Sequence, residues 1–152
     1  MTRVEVAMRL QLPQDNQQCE NCHDAIMAYM TANNAFENIA LLSKDPDNKA
    51  DAELFFCFEN PVSLNTLLGV MAQRGATVKS QYLMLPASLS GIASAYDARD
   101  YGAVVVATVR SVEGVLDATV STIGSLRMEC CTQHLDELLE QVIAALTNRA
   151  KH

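Results

Sequence analysis

Residues 4–12 read Val-Glu-Val-Ala-Met-Arg-Leu-Gln-Leu, and this stretch decides the fold. Apolar side chains occupy alternate positions, whereas Glu5, Arg9 and Gln11 fall between them. Alternation over this length is typical of a strand with one buried face and one face toward water. Pro13 ends the strand because proline cannot donate a hydrogen bond to a neighbouring strand. The stretch therefore predicts the first strand of an α+β domain.

Strands and helices follow this first strand in a regular order. The spacing of apolar residues indicates whether each element is a strand or a helix, and turn and cap residues indicate where each element begins and ends. The order βαββαβ over residues 3–85 predicts the ferredoxin-like arrangement, an antiparallel four-stranded sheet with two helices on one face. The predicted elements are a loop over 14–21, a helix over 22–33, strands over 36–42 and 53–58, a helix capped near Ser63 and ended by Gly75, and a strand over 77–85.

The second half of the chain repeats part of the pattern of strands and helices of the first half. Residues 103–109 suit either a helix or a strand, because they contain a run of three valines. Strands over 115–121 and 126–130 and a helix over 135–146 complete the pattern. Apolar positions of the two halves match at a period of about 71 to 80 residues, which indicates a degenerate internal duplication. The alternative is that any two amphipathic helices that follow strands align equally well.

The predicted domain organisation follows from this internal duplication. Residues 1–86 are predicted to form a ferredoxin-like unit, and residues 87–152 a degenerate second αββα unit packed against it. Residues 87–100 do not alternate cleanly and are predicted to be a linker or a loop. The second unit is therefore short of strands. Strand 77–85 is expected either to serve both halves or to end the first and start the second.

Composition narrows the classes of function. The chain has 152 residues, of which 49% are hydrophobic, and a net charge of −7. Its 11 lysines and arginines are scattered and do not supply the basic patch that nucleic acid requires. No window approaches the roughly 18 uncharged apolar residues of a membrane span, and the first residues do not form a signal peptide. We expect a cytoplasmic protein with reduced cysteines.

Cys19-Glu20-Asn21-Cys22-His23 is the stretch with identifiable chemistry. Two thiolates at this spacing can face one ion, and soft thiolates select Cu(I) or zinc. The dipole of a helix that begins here would favour the thiolate form. His23 could add a nitrogen ligand. Cu(I) is satisfied by two sulfurs, whereas zinc takes four ligands, of which this stretch supplies at most three.

Cys130, Cys131 and His134 form a secondary candidate metal cluster near the start of the last helix. In a ferredoxin-like unit the first and third strands end at opposite edges of the sheet. The two cysteine clusters could therefore meet only across halves or across subunits. Cys57 is expected to be buried among phenylalanines, because a free cysteine behaves as a small apolar residue.

The Cys19-x-x-Cys22 pair at the start of a predicted helix resembles the motif of heavy-metal-associated domains. These are the small ferredoxin-like domains of copper chaperones and metal-transporting ATPases. Two further segments are similar to parts of the family's pattern: residues 111–121, in which a Gly-Val pair leads into an alternating strand, and the helix over 135–146. The resemblance implies a ferredoxin-like fold and a copper or zinc site at the cysteine pair.

This sequence departs from the family's motif at several positions. Six polar residues separate Pro13 from Cys19, and Gln17 stands where the family has methionine. In the second half, Arg99 and Gly102 occupy the positions equivalent to the cysteine pair. The resemblance therefore implies at most one complete metal site in the chain.

Two functions from different classes are predicted. The first is a soft-metal-binding or metal-handling protein, rather than an enzyme, that uses Cys19 and Cys22 with help from His23. The alternative is a ferredoxin-like regulatory or protein-interaction module with no metal role, whose partner is another protein or a second copy in a homodimer. Three features motivate this alternative: the internal duplication, the apolar strand Leu54–Phe58 and the missing strands of the second half. An incomplete sheet leaves an edge that must be covered.

The Cys-x-x-Cys-His stretch has three further interpretations. It is also the signature of c-type haem attachment, which requires export of the chain. A thioredoxin-like redox pair would need a parallel-sheet pattern that this sequence lacks. Two reduced cysteines without a function are the remaining interpretation.

Overall fold

The computed structural model describes residues 2–13, 16–45, 48–60, 62–86, 95–121, 125–131 and 134–150. Strands and helices alternate in these residues much as the sequence pattern predicts. In chain order they are β1 (Thr2–Gln11), α1 (Asn16–Ala32), β2 (Phe36–Asp45), β3 (Asn48–Asn60), α2 (Leu64–Gln73), β4 (Thr77–Leu85), α3 (Ala95–Arg110), β5 (Val115–Val120), β6 (Leu126–Cys130) and α4 (Leu135–Ala150).

The strands form one antiparallel sheet in the order β2-β3-β1-β4-β6-β5. β1 lies at the centre, with β3 on one side and β4 on the other. Ala7 of β1 is opposite Phe55 of β3 and Tyr82 of β4. The order β2-β3-β1-β4 is that of a ferredoxin-like unit with helices on one face, so the predicted fold class is confirmed.

The second unit shares the two central strands with the first. β4 pairs with β6 on the side away from β1, and β5 pairs with β6 at the far edge. Read from that edge, the order β5-β6-β4-β1 repeats the first unit with β4 in the place of β1. The predicted repeat is thus confirmed, and β4 serves both halves. The second unit gains its fourth strand from β1, which local sequence could not show. The boundary between residues 86 and 87 stays a prediction.

The helices cover one face of this sheet. On β1 the covered side chains are Val4, Val6, Met8 and Leu10, all of which are buried. They belong to one hydrophobic core that also contains buried side chains of every helix. Burial of each large apolar side chain contributes about 1.5–3 kcal/mol. Within the described residues, no helix is long and apolar enough to cross a membrane.

α2 and α4 begin against each other and tie the two units together. The carboxylate of Asp136 accepts the backbone N–H of Leu64 at 2.6 Å and the hydroxyl of Ser63 at 3.0 Å. In return the side-chain oxygen of Asn65 accepts the backbone N–H of Asp136 at 3.2 Å. Each helix therefore receives a cap from the other unit, which satisfies N–H groups that a helix leaves free at its start.

Two helices differ from the prediction. α1 begins at Asn16, so residues 16–21 are helical and not a loop. Gln is a fair helix former, and a polar stretch does not by itself exclude a helix. α3 includes residues 95–100, which were predicted to be a linker, and also the ambiguous residues 103–109. Val105 and Val109, four residues apart, are both buried, as expected for one side of a helix. Residues 87–94 lie outside the described residues.

Candidate functional site

Cys19, Cys22 and His23, the predicted metal ligands, lie in the first half of α1. Positions three residues apart on a helix lie on the same side of it. The side chains of these residues are outside the described part of the structure. Metal binding at Cys19 and Cys22 therefore stays a prediction.

The secondary cluster spans the end of a strand and the approach to a helix. Cys130 is the last residue of β6 and α4 begins at Leu135, which agrees with the predicted strand over 126–130 and helix over 135–146. Cys130 is 2% exposed, and this burial raises the pKa of its thiol to about 12. Cys131 is half-buried and His134 is exposed. Among the described residues, no three His, Cys, Asp or Glu side chains are arranged to hold a metal ion.

A cleft of about 320 Å³ lies between the end of β6 and the start of α4. Cys131 lines it, together with the acidic residues Glu113 and Glu137. Gly114 forms part of the wall with φ of +98°, and a Cβ there would lie 2.7 Å from Leu138 Cδ1. Glycine is favoured between the start of β5 and α4 because other residues rarely adopt this positive φ.

Gln81 is a buried polar residue on the covered face of β4. It is 0% exposed, and its Nε2 donates a hydrogen bond to the carbonyl oxygen of Cys131. Its Oε1 is buried and has no hydrogen-bond partner among the described residues. The bond that Gln81 does make joins β4 to the end of β6, so this residue positions the backbone beside the cleft.

The opposite face of the sheet carries a row of apolar side chains, which we call the open-face row: Phe55, Ala7 and Tyr82. These three residues are neighbours across β3, β1 and β4, and each is half-buried. Met84, two residues beyond Tyr82 on the same face, is also half-buried. The row is a contiguous apolar surface at the centre of the sheet.

Charged residues border the open-face row along β1. Glu5 lies two residues before Ala7 and Arg9 two residues after it, so all three point to the same face. Arg9 also contacts the carboxylate of Asp51 on β3, with 3.8 Å between nitrogen and oxygen. Glu5 thus stands on one side of the row, and Arg9 stands on the other side with Glu53, its neighbour on β3.

The second-unit end of this face is polar. The guanidinium of Arg127 lies 4.3 Å from the centre of the Tyr82 ring, a cation–π contact worth about 0.5–1 kcal/mol at an exposed site. Asp117 and Glu129 line a depression of about 210 Å³ beside it. The backbone N–H of Ala118, followed by Arg110, lowers the pKa of Asp117. Asp117 is therefore held in its charged form.

Both edge strands of the sheet are bulged. The register shifts between Glu37 and Ala40 on β2 and between Val115 and Asp117 on β5. Asn38 lies in the first bulge with φ of +55°, a conformation that Asn tolerates. Bulges twist an edge away from further strand pairing. The open face is therefore the better candidate surface for association than either edge.

A scan against protein-family models finds no match, and a search of the curated proteins finds none either. Among solved structures, a candidate chlorite dismutase aligns with a TM-score of 0.44 and 10% identity, over 99% of this chain and 88% of that one. The regulatory subunit of aspartate kinase from Thermus flavus gives 0.36 and 11%, over 100% and 94%. The N-terminal extension of CzcP from Cupriavidus metallidurans gives 0.35 and 17%, over 95% and 97%.

With TM-scores this low, these likenesses say nothing about what the chain binds or does. The fold follows from the chain's own strand order. Nothing in these likenesses tests the resemblance to heavy-metal-associated domains, which stays a prediction.

The open-face row was not predicted as a unit from the sequence. A signal was present in β3, where the four consecutive residues 55–58 are apolar. Phe56 and Phe58 face the helices, whereas Phe55 and Cys57 face the open side. A strand that is apolar on both faces indicates that both faces are covered. Cys57 is buried, as predicted, and lies 4.0 Å from the side-chain nitrogen of Asn38.

Proposed function

We propose that this chain is a ferredoxin-like interaction module that associates with a second copy of itself through the open face of its sheet. The observation that carries the proposal is the open-face row. Phe55 and Tyr82 lie on strands beside the sheet's central strand, where solvent exposure of aromatic rings is unfavourable. A contiguous apolar surface that the chain itself covers only in part is suited to a protein–protein contact.

The dimensions of the face suit a dimer. Six strands about 4.8 Å apart, each presenting about six residues of 3.4 Å, give a footprint of roughly 600 Å². A stable interface of standard size buries about 800 Å² on each partner, so the whole face and its rim approach that area. A second copy also matches in shape, since two such sheets can stack face to face about 10 Å apart.

Sedimentation velocity over a range of concentrations tests the proposal. The wild-type chain should sediment as a dimer at tens of micromolar, and Phe55→Glu should sediment as a monomer because a carboxylate would be buried without a partner. The matched control is Leu116→Glu, which changes an apolar residue that is 65% exposed in the bulge of β5. A wild-type chain that is monomeric throughout, or equal dissociation by both variants, would contradict the proposal. Circular dichroism checks that each variant is folded.

A second candidate function is Cu(I) or zinc binding at Cys19 and Cys22, with His23 as a further ligand. It is supported by the position of both cysteines one turn apart in α1, shortly after β1 ends. Titration of Cu(I) against a chromogenic chelator should show one ion bound per chain and none in Cys19→Ser/Cys22→Ser. Cys131→Ser is the control and should bind as the wild type does. Undiminished uptake by the double variant would exclude this site.

A further inference from the structure

We infer that the second copy covers only the part of the open face that lies on β2, β3, β1 and β4, whereas the part on β6 and β5 stays in contact with water. The inference rests on the proposed function and adds which part of the face makes the contact. Its basis is a difference in composition between the two parts.

Apolar side chains are confined to one part of the open face. The part on β2, β3, β1 and β4, which we call the first-unit surface, has apolar side chains on every strand: Ala40, Leu42, Phe55, Cys57, Ala7, Tyr82 and Met84. Glu5, Arg9 and Glu53 lie among them. The part on β6 and β5, which we call the second-unit surface, presents only polar or charged side chains at its paired positions: Arg127, Glu129, Asp117 and Thr119.

The internal repeat shows that the two units differ mainly on the open face. β6 has the place in the second unit that β3 has in the first, between a central strand and an edge strand. Both strands are apolar on the covered face, with the buried side chains Leu54, Phe56 and Phe58 on β3 and Leu126, Met128 and Cys130 on β6. On the open face, Phe55 and Cys57 of β3 contrast with Arg127 and Glu129 of β6. Only the first unit therefore combines a covered apolar face with an open apolar face.

Burial of the second-unit surface would be unfavourable. Asp117 pairs with the guanidinium of Arg110, and Arg127 lies against the ring of Tyr82. These groups are partly solvated where they stand. A charged group that enters an interface loses its hydration, and this loss is costly unless the partner supplies matching groups. The first-unit surface can be covered without this cost.

The symmetry of the dimer follows from this difference. Two aligned sheets related by a twofold axis have that axis either across their strands or along them. An axis across the strands sets every strand against its own copy, so it covers β6 and β5 as well. An axis along the strands, between β3 and β1, sets β3 against the partner's β1 and β2 against the partner's β4. β6 and β5 then extend beyond the partner's β2, and Phe55 meets the partner's Ala7, whose side chain is small.

Charged residues of the first-unit surface are compatible with this axis. Glu53 meets the partner's Arg9, and Glu5 meets the partner's Cys57, since these residues are opposite each other in the register of β3 with β1. Arg9 is also opposite Glu53 within its own chain. These charges therefore permit the arrangement but do not select it, and the selection comes from the apolar surface.

The size of the contact indicates a weak dimer. Four of the six strands overlap, which gives a footprint of roughly 400 Å². Contacts below the standard size of about 800 Å² on each partner are typical of weak, reversible complexes. We therefore expect a dissociation constant in the micromolar range, which protein concentrations from about 1 μM to about 200 μM span.

Carbodiimide labelling of carboxylates in the wild-type chain tests which part is covered. Glu5 on the first-unit surface and Asp117 on the second are both exposed, and Glu53 and Glu129 form a matched half-buried pair. Between about 1 μM and about 200 μM protein, the labelling rates of Glu5 and Glu53 should fall by about threefold or more. The rates of Asp117 and Glu129 should stay constant. Peptide mass spectrometry measures all four rates in one sample.

Crosslinking between two single-cysteine variants tests the axis. In a mixture of Leu42→Cys copies and Ser80→Cys copies, a bismaleimide about 10 Å long should join positions 42 and 80, because β2 lies against the partner's β4. Such a crosslink can form only between chains, since each copy carries one of the two changes. Thr119→Cys, at an exposed position of the other edge strand, is the control and should give no crosslink to Ser80→Cys.

The outcomes distinguish this inference from the proposed function. Protection of Glu5 and Glu53 alone, with a crosslink between positions 42 and 80, supports the inference. Equal protection of all four carboxylates, or a crosslink of position 42 to its own copy in place of position 80, overturns it but still supports an open-face dimer. Labelling rates that are independent of concentration at all four carboxylates contradict both the inference and the proposed function.

Discussion

The two faces of the sheet are built from the same strands, yet they have different roles. On β3, Phe56 is 1% exposed under the helices, whereas the adjacent Phe55 is half-buried on the other side. The covered face is completed within the chain, because the helices of both units pack against it. The open face keeps an apolar centre without cover from the described helices. One face therefore accounts for folding, and the other is available for association.

Replacing the two phenylalanines separates these roles most strongly. Phe56→Ala should lower the free energy of unfolding by about 3–5 kcal/mol, because it leaves a cavity beside Phe36 and Phe58. Phe55→Ala should cost the monomer about 1 kcal/mol or less but should weaken the dimer. Urea denaturation at low concentration measures the first effect, and sedimentation measures the second. Equal losses of monomer stability would contradict the distinction between the faces.

The alkylation rates of Cys130 and Cys131 test whether the helices enclose the covered face of the sheet. Cys130 faces the core with a pKa of about 12, so roughly one thiol in 10⁴ is ionised at pH 8. Its alkylation should therefore be about 100-fold or more slower than that of Cys131, which lines the cleft. Iodoacetamide labelling followed by peptide mass spectrometry gives both rates, and Cys131→Ser verifies the assignment. Comparable rates at the two cysteines would show that Cys130 is not enclosed by the helices.

The contact between α2 and α4 tests how the helices are held on the covered face. Asp136→Ala removes the acceptor for Leu64 N–H and the Ser63 hydroxyl, and it should destabilise the fold by about 1–2 kcal/mol. Glu140→Ala, an exposed change on the same helix, should have little effect. Thermal unfolding compares the two variants. If Asp136→Ala unfolds at the wild-type temperature, the exchange of caps does not contribute to stability.

The smallest predicted effect is on the pH dependence of the melting temperature, through Asp117 on the open face. The N–H of Ala118, followed by Arg110, lowers the pKa of Asp117 in the folded state. Because the folded pKa lies below the unfolded one, this contribution is present above the unfolded pKa and is lost as pH falls through the folded pKa. Asp117→Asn should therefore show a smaller drop in melting temperature between pH 6 and pH 3 than the wild type. An equal drop in both proteins would indicate that Asp117 is not held in this way.

The predictable part of the fold is the part encoded by local periodicity. The alternation from Val4 to Leu12 identified β1 and its buried face, and Gly75 marked the end of α2, where its φ is +83°. The sharing of β1 and β4 by both units depends on pairing between distant strands, which local spacing does not report. The burial of Gln81 is similar, because its partner, the carbonyl of Cys131, lies 50 residues away.

The candidate surface was harder to predict than the fold. Alternation shows that one face of a strand is buried, but it does not show what covers the other face. The run over residues 55–58 contained that information, but its meaning depends on Ala7 and Tyr82 lying beside Phe55. Those neighbours come from separate strands and become visible only once the register is known.

Methionine oxidation tests the central claim most directly, because it probes the two faces of one sheet in a single experiment. Met84 is half-buried on the open face, and Met128 is 0% exposed on the covered face. Oxidation by hydrogen peroxide is measured by peptide mass spectrometry from about 1 μM to about 200 μM protein, a span that includes the dissociation constants of ordinary dimers. Met84 should be oxidised several-fold more slowly at the higher concentration, while Met128 stays slow at both. A rate for Met84 that does not change with concentration would show that no second copy covers the open face.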